Sequence, residues 1–311
     1  MALGEFALIQ HYFSQQAVKH PATRLGIGDD CALLAIPEGY ELALTTDTMV
    51  EQVHFFREAD PELLGHKLLA VNLSDLAAMG AKPLAATLAM TLPKVDESWL
   101  AAFTKGFMAL AERYQLELIG GDTTAGSLTL TVQALGLVPN GQALLRSCAK
   151  IGDAIFLSGN LGDAGLGLKI TQGYHALESE YALARFNTPM PRVETGLALR
   201  GIANACIDVS DGLAGDLGHI LEQSKVGACL DWEALPLSAA VLAYVASTGD
   251  WTMPLFAGDD YELCFTVSQE NLGNVPASCR KIGQIDAEQG LRLKESGVIH
   301  SLQGRAYEHF S

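Results

Sequence analysis

The sequence predicts an α/β fold, of α+β character, in two domains. Three observations carry that expectation. At 311 residues the chain exceeds the size at which one hydrophobic core usually stops growing. Strand-like and helix-like segments alternate from end to end. The turn-forming run Pro139-Asn140-Gly141 interrupts that alternation, and GDAIFLSGNLGDAGLGL then restarts it with a strand, a glycine-rich loop and a helix. A boundary between residues 139 and 150 is expected, with one domain over 1–145 and a second over 146–311.

Residues 41–44 alternate like a strand. The segment DPELLGHKLLAVNLSDLAAMGA has helical periodicity over 60–79, Asp60 suiting the N-cap, Pro61 the first turn and Gly80 the stop. Strands are expected at 84–92 and 128–138, around a helix at 97–114. Beyond the glycine-rich loop come a helix at 193–204, a short strand ending at Val209, a helix at 213–222 and a strand at 261–267.

Composition excludes several classes of function. With 49% hydrophobic residues the chain has ample material for a core. The 20 Lys and Arg against 36 Asp and Glu give a net charge of −16, which argues against a nucleic-acid partner and against an anionic membrane surface. A phosphate substrate would be repelled by that charge unless divalent cations intervene. The six cysteines have no C-x-x-C spacing and read as core thiols of a reducing compartment. MALGEFALIQHYF lacks the basic and apolar regions of a signal peptide, and no apolar run is long enough to span a membrane, so a cytoplasmic protein is expected.

The carboxylates stand in unexpected company. Leu64, Leu68 and Val71 form one stripe of the first long helix and Asp75 continues it, while Leu69, Leu73 and Leu76 cover the other side. A bare carboxylate there is costly, so Asp75 must be paired, protonated or bound to metal. The pattern recurs at predicted strand ends and turns: Asp29 and Asp30 in GIGDDCA, Asp47 in TTDT, Asp122 in GGDTT, and Asp208 and Asp211 in DVSDG. Any one alone would serve as a turn or helix cap. Together, without matching Lys or Arg, they point to hard oxygen ligands, and the lack of paired His or Cys suits Mg²⁺ rather than zinc. Such ions would attract a polyphosphate. There is no Walker A sequence and no protein-kinase Gly-rich loop with an H-R-D segment. The run SGNLGDAGLG would either offer backbone N–H groups to a phosphate or allow close strand–helix packing.

Taken in order, GEFALI, GIGDDCA, TTDTMVEQVHF, VNLSDLAAMGA, GGDTT, LSGNLG, DVSDGL, GDDYEL and the terminal YEHF resemble the thiamine-monophosphate kinase family, over nearly the whole chain. That family lies in a superfamily with aminoimidazole ribonucleotide synthetase. The resemblance implies transfer of the γ-phosphoryl of ATP to thiamine monophosphate, giving thiamine diphosphate. It also implies a homodimer in which the mixed N-terminal sheets associate into a barrel, each followed by a C-terminal α/β domain. Carried over by position, Asp30, Thr45, Thr46, Asp47, Asp75, Asp122, Asp208 and Asp211 would bind several Mg²⁺ ions. Gly121, Asp122, Arg146 and Ser210 would contact ATP. His54 and Asp259 would meet the substrate, with Tyr307 and Phe310 stacking on its rings. Two positions depart from the pattern: Asp259 replaces the usual Glu, and Gln52 replaces a customary Gly.

An acceptor phosphate oxygen is anionic at neutral pH, so no general base is expected. Two other readings compete. Another synthetase of the superfamily would need features missing here: a reactive cysteine near the N-terminus for selenophosphate synthesis, or a C-terminal cysteine, where this chain reads EHFS, for hydrogenase maturation. A non-catalytic sensor of divalent ions or nucleotide would carry the same motifs and bind ATP without turnover.

Overall fold

Two mixed β-sheets organise the chain, one in each of two units. The first unit comprises Met1–Leu76 and Ala81–Gly141, the second Ala77–Gly80 and Gln142–Ser311. The computed structural model describes residues 5–14, 16–174 and 176–302.

The first unit runs α1 (Glu5–Tyr12), β1 (Thr23–Leu25), β2 (Leu33–Leu34), β3 (Tyr40–Val50), α2 (Pro61–Ala78), β4 (Lys82–Leu92), α3 (Glu97–Arg113), β5 (Glu117–Ala125) and β6 (Thr129–Pro139). Its main sheet has the order β3-β6-β4-β5, antiparallel except for the β4–β5 pair, whose parallel crossover is α3. Helix α2 starts as its sequence indicates: the Asp60 carboxylate accepts the Glu62 N–H at 2.8 Å, and Gly80 turns the chain at φ 63°. Leu64, Leu68, Leu69, Leu73 and Leu76 are all buried. Helices α2 and α3 cross backbone to backbone, because a β-carbon on Gly65 or Gly106 would collide with a carbonyl of the opposite helix.

Two expectations about this sheet need correction. Thr45, Thr46 and Asp47 do not end a strand; β3 continues through them to Val50, paired with β6 along its whole length. The β-branched Thr45, Thr46, Thr48 and Val50 suit a pleated edge strand, and an edge has room for a carboxylate. Likewise GGDTT, expected at a strand end or turn, lies within β5 and forms its second half. Strand alternation then divides the polar side chains: Thr45, Asp47 and buried Met49 share one face, whereas Leu44, Thr46 and Thr48 lie on the opposite, open face.

The second unit runs β7 (Ala154–Leu157), α4 (Asp163–Thr171), α5 (Glu180–Asn187), α6 (Val193–Ala198), β8 (Ala203–Asp208), α7 (Leu213–Ser224), β9 (Gly227–Asp231), α8 (Ala239–Thr248), α9 (Met253–Phe256), β10 (Leu263–Val267), β11 (Arg280–Asp286), β12 (Gly290–Glu295) and β13 (Val298–Ser301). These strands order as β13-β12-β9-β11-β7-β10-β8. Ile155, Leu157, Ile207 and Ile282 of the sheet pack with Leu217 and Ile220 of α7. The helix expected over 193–204 stops at Ala198: Gly201 turns at φ 70°, and Asn204 belongs to β8. All six cysteines are unpaired, but only Cys206 and Cys264 are core thiols, since Cys31 and Cys148 are exposed.

Gln52 follows β3 in a tight turn and has φ 64°, a left-handed conformation that disfavours any residue with a β-carbon. Replacing Gln52 by Gly is expected to stabilise the protein by about 0.5–1 kcal/mol, the relief of the β-carbon clash less the added unfolded-chain entropy. Denaturant unfolding of the two proteins measures the difference, and a lower midpoint for the variant would contradict it.

Candidate functional site

A cavity of about 680 Å³ opens in the first unit, with Asp29, Asp30, Gly121 and Asp122 in its lining beside apolar Ile9, Phe13 and Leu88. Asp30 is exposed, and its N–H donates to the Asp29 carboxylate at 2.8 Å. Gly121 lets β5 approach β4: a β-carbon there would strike the Leu88 carbonyl. Asp122 is also exposed.

Thr45, Asp47 and Asp75 form a second group, and none of them lines that cavity. The Thr45 hydroxyl donates to the Asp75 carboxylate, so the carboxylate on the buried helix is met from β3. One turn earlier on α2, fully buried Asn72 accepts the Asp47 N–H at 3.2 Å and donates to the Leu68 carbonyl at 3.0 Å. Beyond β3, His54 Nδ1 accepts the Val50 N–H at 3.0 Å, which leaves Nε2 to carry the proton of the neutral ring.

Register fixes the spacing of the two groups. Asp47 pairs with Val132, Val132 with Leu88, and Leu88 with Gly121, so the row crosses the full width of the sheet. Three strand spacings put Asp47 and Asp122 about 14 Å apart. They also face opposite ways, because Asp122 shares its row with Ala89, Thr131 and Thr48 of the open face. One ion cannot touch both within one chain. Accordingly, no three His, Cys, Asp or Glu side chains among the described residues gather closely enough to hold a metal unaided.

In the second unit Asp208 ends β8, and Ser210 and Asp211 occupy the turn before α7. The Asp211 N–H donates to Asp216 on that helix at 3.0 Å. Burial, and then the charge of neighbouring Asp208, push the Asp216 carboxyl up to about 8. The GDDYEL segment is tied to the same turn: Asp259 N–H donates to the Ser210 carbonyl and Tyr261 N–H to that of Val209, both at 2.8 Å. Asp259 therefore stands beside Ser210. Arg146 lies exposed on a short 3₁₀ turn. Tyr307 and Phe310 lie outside the described residues.

Sequence reasoning missed Glu262. It is fully buried and bound by Arg185 and Arg192 together, with Ser158 donating to it at 2.5 Å. Its partners are far away in sequence, and the signal that marks it is Gly159, whose β-carbon would collide with the Glu262 carboxylate. The SGNLGDAGLG run is thus explained by packing: Gly162 faces Pro254, Gly165 faces Ala257 and Gly167 faces the Ala182 carbonyl.

Likeness to known proteins identifies the class to which this arrangement belongs. Residues 28–138 match the AIR synthase related protein N-terminal domain and residues 150–294 the corresponding C-terminal domain, so the chain belongs to the AIR synthase related proteins. The thiamine-monophosphate kinase of Salmonella typhimurium is 46% identical over the whole chain and 99% of its own length. The crystal structure of thiamine-monophosphate kinase from Stenotrophomonas maltophilia K279a superposes with a TM-score of 0.85 at 43% identity, over 94% of this chain and 97% of that one. A structure described as AaThiL complexed with AMPPCP and TMP has a TM-score of 0.80 at 28% identity, over 100% of this chain and 99% of that one. Within the class, the chain belongs to the thiamine-monophosphate kinase family.

Loss of the Glu262 charge would leave Arg185, itself buried, without its anion. Glu262→Gln is expected to cost about 3–5 kcal/mol in unfolding free energy. Lys105→Met, which breaks the exposed 2.8 Å bridge to Glu62, should cost less than about 1 kcal/mol. Equal losses for both variants in denaturant unfolding would contradict the assignment.

Proposed function

We propose that this chain transfers the γ-phosphoryl group of ATP to thiamine monophosphate, giving thiamine diphosphate and ADP. The observation that carries the reading is 46% identity, over its whole length, to a thiamine-monophosphate kinase. The complex of a relative with TMP and AMPPCP, an ATP analogue with a bridging carbon, supports the same pair of substrates. In the transfer an oxygen of the acceptor phosphate forms a bond to the γ-phosphorus as the bond to the ADP oxygen breaks. That oxygen is already anionic, so no side chain need remove a proton; alignment and charge neutralisation remain.

The donor set fits Mg²⁺. This ion takes one or two carboxylates from a protein and fills its octahedral shell with water and phosphate oxygens. Asp30 and Asp122 in the cavity, and Thr45, Asp47 and Asp75 at the other edge, are hard oxygen donors in such small sets. Thr46, on the open face, is also assigned to Mg²⁺. In the second unit, Asp208 and Asp211 are assigned to Mg²⁺. When bound, the ions would neutralise phosphate oxygens of donor and acceptor. Gly121, Asp122, Arg146 and Ser210 are assigned to ATP. His54 and Asp259 are assigned to thiamine monophosphate, with Tyr307 and Phe310 stacking on its rings. The six unpaired cysteines suit a cytoplasmic enzyme.

We further read the site as shared between two copies. The opposite edges of one sheet hold donors that cannot meet within a chain, and a barrel built from two sheets would set the β3 edge of one copy beside the β5 edge of the other.

Incubation with ATP, Mg²⁺ and thiamine monophosphate is expected to yield thiamine diphosphate and ADP in equal amounts, followed by chromatography. Asp122→Asn should lower kcat at least about 100-fold, with partial recovery at high Mg²⁺. ATP binding without product would favour the sensor, and full turnover by Asp75→Ala at limiting Mg²⁺ would remove the metal assignment.

A further inference from the structure

Residues 259–261 hold an unusual backbone. Asp259 has φ 67° and Tyr261 φ 49°, two left-handed residues with β-carbons separated by one position. Such conformations persist only where surrounding contacts over-determine them, and they concentrate where a side chain must be aimed.

The contacts here are unusually complete. Asp260 has no exposed surface, and its carboxylate accepts the N–H groups of Gly162 at 2.8 Å and Ala164 at 3.4 Å. Its carbonyl accepts from Arg185 at 2.6 Å, and the same guanidinium nitrogen donates to Glu262 at 2.8 Å. Arg192 donates to Glu262 through Nε at 2.7 Å. The Ser158 hydroxyl donates to Glu262 and accepts the Leu263 N–H at 2.8 Å. On the other flank Val209 N–H donates to the Glu262 carbonyl at 2.7 Å. Each of residues 259–263 is therefore held by a hydrogen bond from outside the segment, on one flank from Ser158, Gly162, Ala164, Arg185 and Arg192 and on the other from Val209 and Ser210.

The bend brings one functional group to bear on the residue assigned to the substrate. The Tyr261 hydroxyl donates to Asp259 Oδ1 at 2.9 Å, and the residue is only 8% exposed. We infer that Tyr261 is a positioning residue: seated by the buried clamp of Asp260, Glu262, Arg185 and Arg192, it aims the Asp259 carboxylate at the thiamine portion of the acceptor. The inference rests on the assignment of Asp259 to thiamine monophosphate. It also accounts for a carboxylate one carbon shorter than the usual Glu: a short side chain reaches less far, so its orientation matters more.

The test is a double-mutant cycle of Tyr261→Phe and Asp259→Gly, the glycine chosen because it removes the carboxylate yet accepts the left-handed backbone. Steady-state kinetics and thermal unfolding are measured for each protein. Tyr261→Phe should raise KM for thiamine monophosphate about five- to tenfold, with KM for ATP within about twofold and Tm nearly unchanged. On the Asp259→Gly background it should change that KM less than about twofold. An unchanged KM in Tyr261→Phe, or an equal effect with and without Asp259, overturns the positioning role. If Asp259→Gly itself leaves KM for thiamine monophosphate unaltered, the substrate assignment fails and the inference with it; a raised KM there with no effect of Tyr261→Phe sinks the inference alone.

Discussion

Strand order in the first sheet constrains everything that the acidic residues can do. β3 and β5 are its two edges, and the register carries Asp47 to the far side of the sheet from Gly121 and Asp122. Pleating adds a second separation by turning Asp47 toward α2 and Asp122 toward the open face. The carboxylates thus fall into two sets, one around a cavity and one around the Thr45–Asp75 hydrogen bond. Neither set is a closed cage. Both suit an ion that keeps most of its shell for water and phosphate, which is how a protein of net charge −16 would come to hold polyphosphate.

The second unit treats its charges in the opposite way. Glu262 is removed from water and neutralised by two arginines, and Asp260 is buried against backbone N–H groups, where desolvation pushes its carboxyl up to about 8. These groups do not meet solvent; they hold two loops together. The exposed or half-buried acids, Asp211 and Asp259, stand on the loops so held. Burying some charges at a cost fixes the backbone from which the others project.

Much of this was legible in the sequence because it is local. Asp60, Pro61 and Gly80 bracket α2 correctly, since capping and turning depend on residues within one helical turn. The resemblance to the thiamine-monophosphate kinases, carried by short ordered motifs, was borne out by full-length likeness. Other features were hidden because their causes are distant. Gly120, Gly121 and Asp122 read as a strand end or turn, yet β4 recruits them into a parallel pair that no local propensity favours. Thr45 to Asp47 looked like a strand end because polar residues follow apolar ones, whereas an edge strand tolerates that change. Glu262 left only the indirect mark of Gly159, its arginines lying 70 and 77 residues away.

The claim that one catalytic site draws the β3 donors from one copy and the β5 donors from another is tested most directly by subunit mixing. Asp47→Asn and Asp122→Asn chains, each close to inactive alone, are refolded together in equal amounts and assayed for thiamine diphosphate. Half of the dimers would then pair unlike chains and carry one site free of both substitutions, so activity should return to about one quarter of the unmodified enzyme. Activity that stays at the level of the separate variants would contradict the shared site.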